Sequence, residues 1–142
     1  MKLLVKTIIG KWKVSNRMVM APMTRSGADI NGVVGDLTVL YYTQRAGAGL
    51  IITEGINISE QAFGSPSTPG LYSREQIEAW KKITKAAHDK SGVILCPTLA
   101  YRTCCTFHDR KGELPVAPSA VAISGMQHFT SQGLKDFETP KH

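Results

Sequence analysis

A parallel α/β sheet, closed as a barrel or left open, is the fold this sequence predicts, and three observations predict it. Short apolar segments alternate with longer stretches of helical periodicity, the pattern in which crossover helices join parallel strands. The run Leu50-Ile51-Ile52-Thr53 is nearly continuously apolar and rich in β-branched side chains, as a strand covered on both faces requires. The first two strands run into turn-forming residues, Pro22 to Thr24 and Glu54-Gly55, at the ends where such sheets bind ligands.

Taken in order, residues 3–14 alternate weakly around Gly10-Lys11 and suit a short hairpin that caps the bottom of the sheet. Met18 to Ala21 reads as the first strand, bounded by Pro22. Asp36 is placed to cap the first helix, along which Leu37, Leu40, Tyr41 and Gln44 fall at helical spacing until Gly47 and Gly49. Tyr41 and Tyr42 read as packing and surface residues. Leu50 to Thr53 is the second strand. Gly64, Pro66 and Pro69-Gly70 break residues 56–72 into a long irregular loop, and loops of that length are usually functional. Ser73-Arg74-Glu75-Gln76 has the form of a capping box, with Ile77, Trp80, Ile83, Thr84 and Ala87 on one face of the second helix. Val93-Ile94-Leu95 begins the third strand. Pro97 has no amide to donate and should weaken it or cut it short. Pro115, Pro118 and Pro140 favour extended chain over helix in residues 113–142.

Composition narrows the functional classes. A 42% hydrophobic content over 142 residues supports a single domain with a core, residues 1–142. The net charge of +6 is spread through every segment, so it reads as solvated surface and argues against nucleic acid as a partner. No apolar run approaches the roughly 18 residues that span a bilayer, and Met1 to Lys6 is too short and too soon interrupted by charge for a signal peptide. No membrane association is expected, and the cytoplasm is the default location. Cys96, Cys104 and Cys105 cannot close a disulfide framework. A metal or redox site at Cys104, Cys105 and His108 lacks the spacing that lets two thiolates converge on zinc, so no metal is expected.

Asn16 to Arg25, ending Ala21-Pro22-Met23-Thr24-Arg25, then Tyr41-Tyr42-Thr43-Gln44-Arg45-Ala46, Ile51-Ile52-Thr53-Glu54-Gly55 and Thr68-Pro69-Gly70-Leu71-Tyr72 before a capped helix together resemble the old yellow enzyme family. The resemblance covers almost all of residues 1–95 and resumes at Gly112 to Ala120. It implies the N-terminal part of a TIM (β/α)8 barrel, about three βα units, incomplete because a whole barrel takes roughly 200 residues or more. It also implies an FMN-dependent oxidoreductase in which NAD(P)H reduces the flavin, and the flavin reduces the C=C bond of an α,β-unsaturated carbonyl.

Backbone groups of Pro22 and Met23 would border the flavin, and the Thr24 side chain and amide would bond near its C4 carbonyl. A donor there stabilises the electron-rich reduced ring. On spacing alone Thr24 is equally well an ordinary turn hydroxyl. Gly55 would let the backbone approach the ring, where a Cβ would take up the space. Arg25 is left outside the site, and Glu54 is read as a residue that holds its loop by hydrogen bonding, without an acid/base role. The family's substrate-binding His-Asn or His-His pair, its proton-donating tyrosine and its phosphate loops have no counterpart in these residues. No catalytic residue is therefore assigned, and the chain alone is expected to be inactive. A half-barrel edge would favour self-association. The alternative function is a non-catalytic remnant or partner-binding module.

Residues 96–111 depart from the pattern. The family continues the third strand as Gln-Leu-Trp-His, then Gly-Arg, with the glutamine on the flavin pyrimidine edge, whereas this chain reads Cys96-Pro97-Thr98-Leu99-Ala100. Codons for 96–112 exist that, read from the second base, give Val-Gln-Leu-Trp-His-Thr-Gly-Arg-Val-Ala-His-Ser-Met-Ile-Glu-Lys. That restores the pattern in register. Two compensating single-base changes, near residues 95 and 111, are the expectation, and all three cysteines fall within the shifted stretch.

Overall fold

The computed structural model describes residues 2–99 and 114–141, so Cys104, Cys105, His108 and most of the aberrant stretch lie outside the described residues. After a 3-10 turn at Lys2–Leu4, β1 (Thr7–Ile9) and β2 (Trp12–Val14) form an antiparallel hairpin with Thr7 opposite Val14. Gly10 turns it with φ of 59°, a conformation that a Cβ would disfavour.

The sheet proper is built from β3 (Val19–Met20), β4 (Leu50–Ile52) and β6 (Val93–Leu95), all parallel and in the spatial order of the chain. Val19 pairs with Leu50, and Leu50 with Val93. Helix α1 (Asp36–Arg45) joins the first pair and α2 (Arg74–His88) the second. Each crossover therefore places its new strand beside the last, as strands are laid down in a barrel; the doubly wound sheet reverses this order.

The register is pinned from below by Asn16. Its Nδ2 donates to the Gly47 carbonyl at 2.8 Å, and its Oδ1 accepts from the amides of Met18 at 3.0 Å and Gly49 at 2.8 Å. One side chain thereby ties the entrance of β3 to the turn that feeds β4. Gly49 is glycine for a packing reason, since a Cβ there would overlap the Asn16 carbonyl.

The core lies between the sheet and the two helices. Ile51 and Ile56 from the sheet side meet Tyr42 and Ala46 of the first crossover and Ala79, Trp80, Ile83 and Ala87 of the second. Trp80 also donates its indole N–H to the Gly70 carbonyl at 3.1 Å, so its polar edge is satisfied within the core. The Ser73–Gln76 capping box forms as the sequence predicts. Gln76 does more than cap: its Nε2 reaches the Asn31 carbonyl at 2.8 Å and ties the loop after β3 to the start of α2.

Three expectations need correction. Asp36 is the first residue of α1, behind a Gly35 cap that makes no side-chain bond, so it favours the helix through the N-terminal dipole. The predicted face of α1 is rotated: Leu37 and Leu40 are exposed, while Thr38 and Tyr42 are buried. Residues 56–72 are also more ordered than a loop reading suggests. β5 (Ile56–Asn57) pairs in parallel with β7 (Thr98–Leu99), Asn57 bridges to Gly70, and Ile56, Asn57, Thr68 and Pro69 are buried.

Between β6 and β7 the third strand breaks at Cys96-Pro97, and the missing donor is accommodated because Pro97 acts only as an acceptor, for the Ile56 amide at 3.0 Å. Farther along, β8 (Gln127–Thr130) and β9 (Gly133–Asp136) form an antiparallel hairpin, and Val116 bridges to Lys141.

Candidate functional site

The predicted site residues sit on two adjacent connections at one end of the sheet. Pro22, Met23 and Thr24 follow β3 and are exposed, while Gly55 follows β4 and is half-buried. Because β3 and β4 are parallel neighbours, their C-terminal ends emerge side by side. The structure therefore brings the Pro22–Thr24 turn and Gly55 to the same edge.

Glu54 ties the turn after β3 to the end of β4. Only 2% exposed, it accepts the Arg25 amide on Oε2 at 3.0 Å and the Tyr42 hydroxyl on Oε1 at 3.4 Å. The Tyr42 oxygen in turn accepts the Glu54 amide at 3.1 Å, so the phenol bridges both ends of the same residue. Thr53 donates its hydroxyl to the Glu54 carbonyl at 3.0 Å, fixing the peptide that leads into Gly55. Burial raises the Glu54 carboxyl above its ordinary value, opposed by the Arg25 amide and the Tyr42 hydroxyl. Burial likewise raises the Tyr42 phenol, which stays protonated.

Two guanidinium groups approach the Tyr41 ring, Arg45 at 3.7 Å and Arg25 at 4.9 Å from its centroid. Arg25 thus acts in two ways, through its amide on Glu54 and through its side chain on Tyr41. Sequence reasoning found Glu54 as a loop holder and missed its partner Tyr42, which reads from sequence as one of two adjacent helix aromatics. The signal available was position: Tyr42 lies four residues after Thr38, and the two together mark the buried face of α1.

Cys96 sits near this end, half-buried, with its thiol pushed up by burial and partly offset by the Thr53 hydroxyl. It is therefore held in the protonated, less nucleophilic form. Among the described residues no helix is long and apolar enough to cross a membrane.

Comparison with known proteins agrees with this fold. The profile of the NADH:flavin oxidoreductase / NADH oxidase family matches residues 6–135. A Leishmania infantum protein named "Probable flavin mononucleotide-dependent alkene reductase" is 41% identical over 119 residues, which cover 83% of this chain and 33% of that protein. The old yellow enzyme homologue from Zymomonas mobilis superposes with a TM-score of 0.91 at 36% identity, over 99% of this chain and 39% of that one. Morphinone reductase, solved in complex with tetrahydroNAD, gives 0.88 at 36% identity, over 98% of this chain and 40% of its own. The chain thus spans about a third of the curated relative and about two fifths of the solved barrels. With the match running through β3, β4 and β6 and the loops at their C-terminal ends, the chain belongs to the NADH:flavin oxidoreductase / NADH oxidase family.

Proposed function

We propose that this chain supplies the flavin-edge wall of an FMN-dependent NAD(P)H oxidoreductase that reduces the C=C bond of α,β-unsaturated carbonyls. The observation that carries the reading is the convergence of the Pro22–Thr24 turn and Gly55 at the C-terminal ends of adjacent parallel strands. The members of the family are FMN-dependent and take electrons from NAD(P)H.

The donor set fits the edge of an isoalloxazine and only that edge. Exposed Thr24 offers a hydroxyl and an amide, which suit carbonyl oxygens of a ring that gains electron density on reduction. Bound FMN would accept hydride and pass it on, chemistry that no side chain here performs. The residues of this chain orient the ring: Pro22 and Met23 border it, Thr24 donates to it, and Gly55 admits it closely. The part of the site that would bind phosphate is not represented in this set. The cytoplasm and an enone or similar electrophile remain the preferred location and substrate class.

Residues 96–111 enter this reading as two compensating frame changes, which would put Pro97 where the family places its flavin-binding glutamine. The nucleotide sequence decides that point. Codons that cannot be reread in the second frame would end it.

Titration of the purified chain with FMN, followed by flavin absorbance, tests the wall itself. Binding that Thr24→Ala weakens by roughly tenfold, the value of one hydrogen bond, is the expected outcome. A flavin spectrum unmoved by the chain would favour the non-catalytic, partner-binding alternative.

A further inference from the structure

Among the described acidic residues Glu54 alone is buried, and neither a core role nor an acid/base role accounts for it. Burying a carboxylate costs stability unless hydrogen bonds hold it. The bonds it receives come from two different elements: the amide of Arg25 after β3, and the hydroxyl of fully buried Tyr42 on α1. The Ser26 amide faces the same carboxylate. Ser26 itself has φ of 50°, in the left-handed region that side chains rarely adopt. A residue in that conformation turns neighbouring amides to one side, the backbone shape that receives an anion.

We propose that Glu54 is a positioning residue that fixes the Pro22–Thr24 turn at a set separation from Gly55. The inference rests on the reading of these two connections as the flavin-edge wall. Glu54 is suited to the task by its place in the chain. Its backbone leads directly into Gly55 and is locked there by Thr53 and Tyr42, while its carboxylate holds the amide one residue beyond Thr24. Thr24 and Gly55 are thereby held by one residue instead of by two loops that move separately. Both carboxylate oxygens are engaged by protein donors, so the group serves geometry and not proton transfer.

The test compares the full 142-residue chain with Glu54→Gln, Thr24→Ala and the double variant, by amide hydrogen exchange and by FMN titration. In Glu54→Gln, exchange at Arg25 and Ser26 should rise roughly tenfold while Ile83 in α2 is unchanged, and FMN affinity should fall by a similar factor. The losses from Glu54→Gln and Thr24→Ala should not add, because one acts through the other. Unchanged exchange at Arg25 and Ser26 overturns the proposal. So does faster exchange with unaltered FMN affinity, or strictly additive losses. Should the unsubstituted chain bind no FMN, the flavin reading fails separately, and the exchange comparison alone decides whether Glu54 holds the turn. If Glu54→Gln also loses Ile83 protection, Tyr42→Phe removes the same support from the other end and carries the comparison.

Discussion

Burial sets the acidity of Glu54, and the sign of the resulting pH dependence follows. Its folded carboxyl lies above the ordinary value, so the unfolded chain loses this proton at lower pH than the folded one. The stability Glu54 contributes is therefore greatest below the ordinary carboxylate range. It falls as pH rises through the raised folded value and stays lower beyond. Glu54→Gln removes that term. Urea denaturation at about pH 4 and about pH 7 should show the substituted chain gaining on the wild type across the interval. A wild type that holds or gains stability relative to Glu54→Gln between these two pH values would contradict the burial account. A second residue-scale prediction concerns Gly49. Gly49→Ala forces the Asn16 carbonyl aside and should destabilise by several kcal/mol, whereas Asn16→Ala, which orphans two amides and a carbonyl, should cost about 1–3 kcal/mol. Thermal melts of both variants check the order. At this scale the sequence showed where β3 and β4 end, because turn-forming types mark strand ends. It could not show Tyr42 reaching Glu54, since that contact depends on how α1 rolls against the sheet.

Helix α2 was legible and α1 only half so, and the difference is physical. α2 carries a capping box and a buried stripe in which the predicted Trp80, Ile83 and Ala87 are joined by Ala79, while the predicted Ile77 is 39% exposed, so local and tertiary signals largely agree. In α1 apolar side chains lie on both faces, and the packed face is chosen by the small Thr38 and the aromatic Tyr42 while Leu37 stays 83% exposed. Periodicity alone cannot choose between two such faces. The β8–β9 hairpin was missed because prolines dominate the reading of that segment; Gly133, with φ of 100°, was the available turn signal. The break at Pro97 was anticipated from its missing amide, but not the resumption of pairing at Thr98. Predictions at this scale separate packing from capping. Ile83→Ala empties a fully buried position and should cost about 2–5 kcal/mol, against about 1 kcal/mol for Ser73→Ala at the cap. Chemical denaturation of the two variants should preserve that ranking.

Among the described residues the main sheet is three parallel strands laid side by side, with one edge at β3 and the other at β6. Relatives that contain the same strands continue well beyond them, since the solved barrels overlap this chain over about two fifths of their length. The fold class was visible in the alternation of elements, while barrel closure was visible only through family resemblance, as three strands do not close. Replacing residues 96–111 by their shifted-frame reading should strengthen flavin binding, because a glutamine side chain would then stand where Pro97 offers only its carbonyl. The central claim is that these residues hold a flavin by its ring edge. Its most direct test is the difference spectrum of the 142-residue chain with FMN and, separately, with riboflavin. Ring-edge recognition predicts a perturbed flavin absorbance of equal midpoint for both, since the phosphate has no partner in this set. No perturbation with either ligand, or binding that requires the phosphate, would contradict it.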